Sequence, residues 1–274
     1  MLSILLIGFL SFSQGVTSQS AGDVASQVQI DVSQAKTRKS LIAFPPLQFV
    51  GNPSISKNYD SVGSELFRVI FNDLSVTSYF QFIAQSAFLE DTAKTSTRPK
   101  STTEASGFKF ESWKQIGAEF LVRGSFTIAG DSLSLEVYVY NVTNTNTILA
   151  KKYKGTLAAA RRIAHTFSND FMQALTGSRG MFLSRIVTAS DRGGGKFKEI
   201  YVMDWDGANV DKITNHRSVT LSPAWSPDSK QLAFQTNRDR LYSDEIYVFD
   251  LASGLTERLT YSYGSHQYPA WWPN

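Results

Sequence analysis

The residues able to do chemistry are few. Cysteine is absent, which removes disulfides, thiolate nucleophiles, iron–sulfur clusters and cysteine zinc sites together. The three histidines, His165, His216 and His266, lack the short ligand spacing of a zinc site. His165 falls in a helical pattern and reads as a packed helix residue. His216 and His266 are 50 residues apart and do not share a position in the repeat described below. Asp204, Asp206, Asp228 and Asp250 could act as acid–base pairs or Ca²⁺ ligands. Each lies in a turn-like segment, where an aspartate caps backbone N–H groups, and that reading is preferred. The run Arg192-Gly193-Gly194-Gly195-Lys196 has phosphate-loop composition. It sits between two strand-like runs with no helix after it and no Gly-Lys-Ser/Thr, so it reads as a hairpin loop. No Gly-x-Ser-x-Gly nucleophile elbow occurs. The expectation is a protein without catalytic, cofactor or metal residues.

The elements around these residues divide the 274-residue chain in two. A net charge of +3 (27 Lys+Arg against 24 Asp+Glu) implies no broad basic surface, so nucleic acid is not an expected partner. With 42% hydrophobic and 13% aromatic residues, two cores are affordable and sheet is favoured. Residues 1–20 carry an apolar run of signal-peptide length followed by small residues, and are read as an export signal. Residues 21–177 are read as an α+β domain. Val28 to Val32 alternate apolar and polar residues, as a short strand does. Leu41 to Phe44 read as a buried strand stopped by Pro45-Pro46. Ser61 is placed as the cap of a helix reaching about Thr77, with Val62, Leu66, Val69, Ile70 and Leu74 on one stripe. Residues 80–83 form a second strand, and the Ser/Thr-rich residues 92–107 a mobile surface loop. A short helix at 108–116 leads into a hairpin turning at residues 129–131, and residues 147–153 add a strand. A helix over 157–176 ends at Gly177. Helices on one side of a largely antiparallel sheet are expected.

Residues 178–274 repeat with a period of 46. Glu199-Ile200-Tyr201-Val202-Met203-Asp204 lands on Glu245-Ile246-Tyr247-Val248-Phe249-Asp250, and Pro223-Ala224-Trp225 lands on Pro269-Ala270-Trp271. Eleven of 43 aligned pairs are identical, where roughly two or three are expected by chance. That period, with several short strands in each copy, is the signature of β-propeller blades. The strand phase gives three strands of one blade, a complete second blade, and one strand of a third at residues 269–271. A ring needs about four to eight blades. The expectation is therefore an incomplete propeller of about two blades whose sequence continues past residue 274, the alternative being copies that associate to close a ring.

These motifs resemble the TolB family, periplasmic components of the bacterial Tol-Pal envelope system. The segment Leu175-Thr176-Gly177-Ser178-Arg179-Gly180-Met181-Phe182, followed by Arg185-Ile186-Val187, is similar to the family's junction between its first domain and its propeller. Trp113-Lys114-Gln115-Ile116-Gly117-Ala118-Glu119-Phe120-Leu121-Val122-Arg123-Gly124 resembles its helix–strand step, and Asp204-Trp205-Asp206-Gly207 and Ser226-Pro227-Asp228 its blade turns. Ser229 and Trp272 depart from the pattern. The resemblance implies a six-bladed propeller, a monomer and non-catalytic scaffold work in the periplasm. It implies binding of the peptidoglycan-associated lipoprotein Pal through the propeller, binding of TolA through the N-terminal segment, outer-membrane integrity and support of cell division. Attachment to the outer membrane would run through these partners. Carried over, the TolA segment maps to Val28, Ile30, Asp31 and Val32, where β-augmentation suits the strand pattern. The Pal candidates are His216, Ser222, His266 and Tyr268, in loops expected at one end of the propeller. The competing expectation is the propeller of a prolyl-oligopeptidase-like hydrolase whose catalytic domain lies elsewhere.

Overall fold

A computed structural model describes residues 38–52, 58–240 and 242–272. The export-signal and residue 28–32 readings lie outside these residues. The first part is a mixed sheet. Strands β1 (Ser40–Ala43), β2 (Gln48–Phe49), β3 (Phe80–Phe82), β4 (Phe120–Ala129), β5 (Ser132–Asn141) and β6 (Asn146–Thr156) lie in the order β3-β1-β4-β5-β6, with β2 also pairing with β4. The β1–β3, β1–β4 and β2–β4 pairs are parallel, and β4–β5–β6 is an antiparallel meander.

Helix α1 (Tyr59–Val76) starts two residues before Ser61, which sits in its first turn and donates its hydroxyl to the Asn58 carbonyl at 2.8 Å. Ser61 is therefore not the cap. The expected stripe Val62, Leu66, Val69, Ile70 and Leu74 is buried, and it carries one charged residue, Asp73, also buried. Helix α2 (Phe110–Gln115) is short. Residues 157–159 form a 3₁₀ turn that leads into α3 (Ala160–Thr176). Gly177 ends α3 at φ 76°, a left-handed conformation that glycine takes without a Cβ clash.

The sheet is covered on both faces, not one. Ile42, Phe120, Val122, Leu135, Val137 and Val139 point into a core with α1 and α3. The alternate residues Ala43, Leu121 and Tyr140 point the other way, against Phe108 and Trp113 of the α2 region. Strand alternation explains how one sheet feeds two cores. The segment 92–107 is irregular, as expected, but it is held down. Buried Arg123 donates to the carbonyls of Thr92, Thr95 and Ser96, and Gln48 to those of Thr92 and Thr95. Burial lowers the Arg123 pKa to about 10, which leaves it charged at neutral pH.

The second part holds two antiparallel sheets. One is β7 (Arg185–Ser190), β8 (Glu199–Asp204) and β9 (Asp211–Lys212); the other is β10 (Thr220–Trp225), β11 (Gln231–Thr236), β12 (Glu245–Asp250) and β13 (Thr256–Arg258). Ile200 and Val202 of the first pack with Leu232, Phe234 and Tyr247 of the second. These are the three-strand and four-strand blades of an incomplete propeller, and they do not close a ring. Residues 269–271 are not a strand, because no ladder partner meets them among the described residues. Trp271 instead donates its indole N–H to the Ala224 carbonyl at 3.0 Å. The Arg192–Lys196 run joins antiparallel β7 and β8, as a hairpin loop does.

Candidate functional site

Each blade builds the same polar lock at the start of its Glu-Ile-Tyr-Val strand. Thr214 donates its hydroxyl to Glu199 Oε2 at 2.5 Å and accepts the Ile200 N–H at 2.9 Å. One period later, Thr260 donates to Glu245 Oε2 at 2.5 Å and accepts the Ile246 N–H at 2.9 Å. Arg192 lies over the Tyr201 ring at 5.8 Å, and Arg238 over Tyr247 at 4.2 Å. Burial pushes both carboxyl pKa values up, but their hydrogen bonds outweigh it and hold them below the usual range. The opposing donors are Thr214 and the Arg217 N–H for Glu199, and Thr260 with the Arg258 and His266 charges for Glu245.

Three of the four candidates, His216, His266 and Tyr268, lie in loops, whereas Ser222 lies within β10, at the bulge between Leu221 and Ala224, because the strand begins before the Pro-Ala-Trp motif. His216 Nε2 accepts from Arg238 Nη1 at 3.0 Å, and its Nδ1 lies 3.4 Å from Thr220 Oγ1. Burial and then the Arg238 charge lower its pKa, so the neutral ring is favoured. His266 Nδ1 lies 3.1 Å from Glu245 Oε2, and its Nε2 2.9 Å from Ser262 Oγ. The two histidines differ in repeat position, yet each pairs with a hydroxyl four residues away, at the position the other histidine holds in its own copy. Both approach β12, His216 with its ring 6.4 Å from that of Tyr247 and His266 through Glu245. Ser222 and Tyr268 are repeat equivalents, and both take left-handed backbone, at φ 51° and 57°. Non-glycine residues there are strained, and such strain concentrates where a surface is shaped for contact. Tyr268 is 78% exposed, while its N–H is held by Gln235 Oε1 at 2.9 Å.

A second cluster, not foreseen from the sequence, lies where α3 meets the β8–β9 turn. His165 is buried and sits with Nδ1 2.9 and 3.0 Å from the two Asp73 oxygens. Trp205 lies above it, its indole N–H 3.3 Å from the same nitrogen. Arg161, one turn before His165, forms a short ion pair with Asp206 and lies 3.7 Å from Glu65. Burial raises the Asp73 pKa, against the opposing pull of His165. Burial also pushes Asp206 up, but Arg161 and the Ala208 N–H hold it below the usual value. The turn reading of the aspartates holds for three of the four; Asp204 instead accepts the Asn209 side-chain amide at 2.6 Å. Asp228 accepts the Lys230 N–H, Asp250 those of Ala252 and Ser253, and Asp206 that of Ala208. Asp206 has this second, ionic role as well. Two signals could have found the cluster: an aspartate inside the apolar stripe of α1, and Arg161 and His165 spaced by four on one face of α3.

Comparison with known proteins agrees with this architecture. The model of the TolB amino-terminal domain matches residues 28–148, and that of the TolB beta propeller domain residues 172–274. The Tol-Pal system protein TolB of Desulfosudis oleivorans is 35% identical over 210 residues, which is 76% of this chain and 45% of that protein. The Tol-Pal system protein TolB of Geobacter sulfurreducens is 44% identical over 125 residues, 46% of this chain and 28% of that protein. The chain thus spans less than half the length of these relatives. The crystal structure of TolB from Acinetobacter baumannii shares the fold at TM-score 0.64 and 21% identity, over 81% of this chain and 50% of that one. Among the described residues no helix is long and apolar enough to cross a membrane. With both domain models matched in tandem, a mixed α+β sheet followed by propeller blades, and these relatives, the chain belongs to the TolB family, as its amino-terminal domain and the start of its propeller.

Proposed function

We propose that this chain is a non-catalytic periplasmic scaffold of the Tol-Pal system. It binds Pal through the blade loops around His216, Ser222, His266 and Tyr268, and TolA through residues 28–32, supporting outer-membrane integrity and constriction at division. Residues 21–177 are taken as the amino-terminal domain and 178–274 as the propeller part. The observation that carries the reading is the tandem match to TolB amino-terminal and propeller domains in one chain. The blade loops support it physically: polar locks hold the strand ends rigid, while strained, exposed positions such as Tyr268 present side chains for contact.

The test is retention of the purified chain on immobilised TolA, and retention on immobilised Pal of a protein in which these blades belong to a closed ring. Both are expected, with no Pal retention by the two blades alone; retention on neither overturns the proposal, and equal Pal retention by the 274-residue chain overturns the need for a closed ring. Deleting residues 28–32 is expected to weaken TolA retention and leave Pal retention; loss of neither overturns the assignment of that segment. A double H216A/Y268A variant is expected to weaken Pal binding at least tenfold with unchanged far-UV circular dichroism. Unchanged Pal affinity removes the loops from the interface.

A further inference from the structure

We propose that His165, Asp204 and Asp206 form a binding site for a divalent transition metal of the zinc class, set between α3 and the β8–β9 turn. One ligand atom from each of the three lies within 4.8 Å of the others. An acidic pair in a turn means little alone. The histidine is what makes the group a site. His165 is 2% exposed, and its Nε2 has no hydrogen-bond partner although it is buried. That atom stands 3.9 Å from Asp206 Oδ2, too far for a hydrogen bond and close enough for both to reach one ion after a small contraction.

The other ring nitrogen is arranged as a metal-bound histidine requires. Ligating imidazoles pass their second N–H to a carboxylate, which fixes the tautomer and raises the basicity of the free nitrogen. Asp73 stands ready for this, with both oxygens on Nδ1, which the Trp205 indole N–H also approaches at 3.3 Å; in the metal-bound tautomer Nδ1 gives its proton to Asp73 and Nε2 is the free donor atom on the Asp206 side. One nitrogen and two carboxylates form a donor set suited to Zn²⁺ or Co²⁺, with water completing four-fold coordination. Space for that water exists in an adjoining cavity of about 340 Å³, lined by His165, Asp204 and Arg161 among others.

Charge also favours a cation. Asp73, Asp204, Asp206 and Glu65 are set against a single close guanidinium, Arg161. Arg162 and Arg185 line the same cavity, and Arg185 is paired with Asp211 at 3.4 Å. Arg161 is the competitor for Asp206, and Glu65 at 3.7 Å offers it another partner when a metal takes the carboxylate. The ion would tie the amino-terminal part to the first blade through ligands from each.

The test uses the untagged 274-residue chain, stripped with a chelator, titrated with Zn²⁺ by calorimetry and with Co²⁺ by visible absorption. One equivalent of Zn²⁺ is expected to bind and raise the Tm, and Co²⁺ to give an intense tetrahedral d–d band. H165Q and D204N are each expected to weaken binding at least tenfold and to lose the Co²⁺ band. Asp204 is only half-buried, so D204N decides the question if H165Q does not fold. H216A/H266A is expected to bind as the parent does. Absence of one-equivalent binding, unaltered binding in folded D204N, or loss of binding in H216A/H266A each overturns the site.

Discussion

At the residue scale, the two blade glutamates turn local hydrogen bonds into pH dependence. Their folded pKa values lie below the unfolded value of about 4.3. A depressed carboxyl contributes stability that is present above the unfolded pKa and is lost as pH falls through the folded one. His216 has the same sign: its folded pKa is lowered, so the unfolded chain takes up the proton first as pH drops below about 6.5. Asp73 has the opposite sign, because its pKa is raised. The blades are therefore expected to lose stability in two stages on acidification, first below pH 6.5 and then below pH 4.5. Urea midpoints followed by Trp fluorescence from pH 7.5 down to about 3 check this. H216N is expected to flatten the first stage only, and E199Q/E245Q the second. If both variants reproduce the parent profile, these groups are not its source.

At the element scale, the helices rest on close approaches that periodicity does not report. Gly63 faces Phe126 of β4, and a Cβ there would stand 2.8 Å from the ring. G63L would push α1 off the sheet, at an expected cost of about 1–3 kcal/mol, read as a lower urea midpoint. G177A is expected to cost about 1 kcal/mol, since alanine is strained at φ 76°. A null effect in either case would show that the helix end or the helix–sheet contact can relax. The strands and helices themselves were largely legible. The stripe on α1, the hairpin at residues 129–131 and the 46-residue repeat follow from side-chain periodicity and turn chemistry. Ser61 reads as a cap in sequence but is not one, because a hydroxyl works as well inside the first turn, bonded back to a carbonyl, as ahead of it. The covered second face of the sheet is not legible in the strand pattern, because Tyr140 is buried there only by packing against Phe108 and Phe110 from another segment.

At the scale of the whole molecule, the two parts meet through a few charged and aromatic side chains. Phe182 and Trp205 are 5.3 Å apart at the junction, beside the Arg161–Asp206 pair. Both charges of that pair are largely buried, so removing one leaves the other poorly solvated. D206N is expected to cost about 2–3 kcal/mol, softened by the Glu65 contact that Arg161 keeps. The expected readout is a lower-temperature shoulder in calorimetry, as the junction releases before the amino-terminal core melts. A single unshifted transition would show that the ion pair adds nothing to coupling. Blades hold each other by nearest-neighbour contact, so the second part should melt first.

What the amino-acid sequence determined by itself was everything that depends on spacing along the chain: the α+β part, the blade repeat and its phase, the turn aspartates, and the family resemblance carried by contiguous motifs. Such features are local, and each residue's neighbours in space are set by its neighbours in sequence. The tertiary structure alone decided what joins distant segments. Asp73 and His165 are 92 positions apart, and Arg161 and Asp206 are 45 apart. No periodicity links them. They meet because α1 and α3 pack side by side on the sheet and the first blade turns back on α3. Long-range packing, not propensity, placed an unpartnered imidazole nitrogen beside two carboxylates.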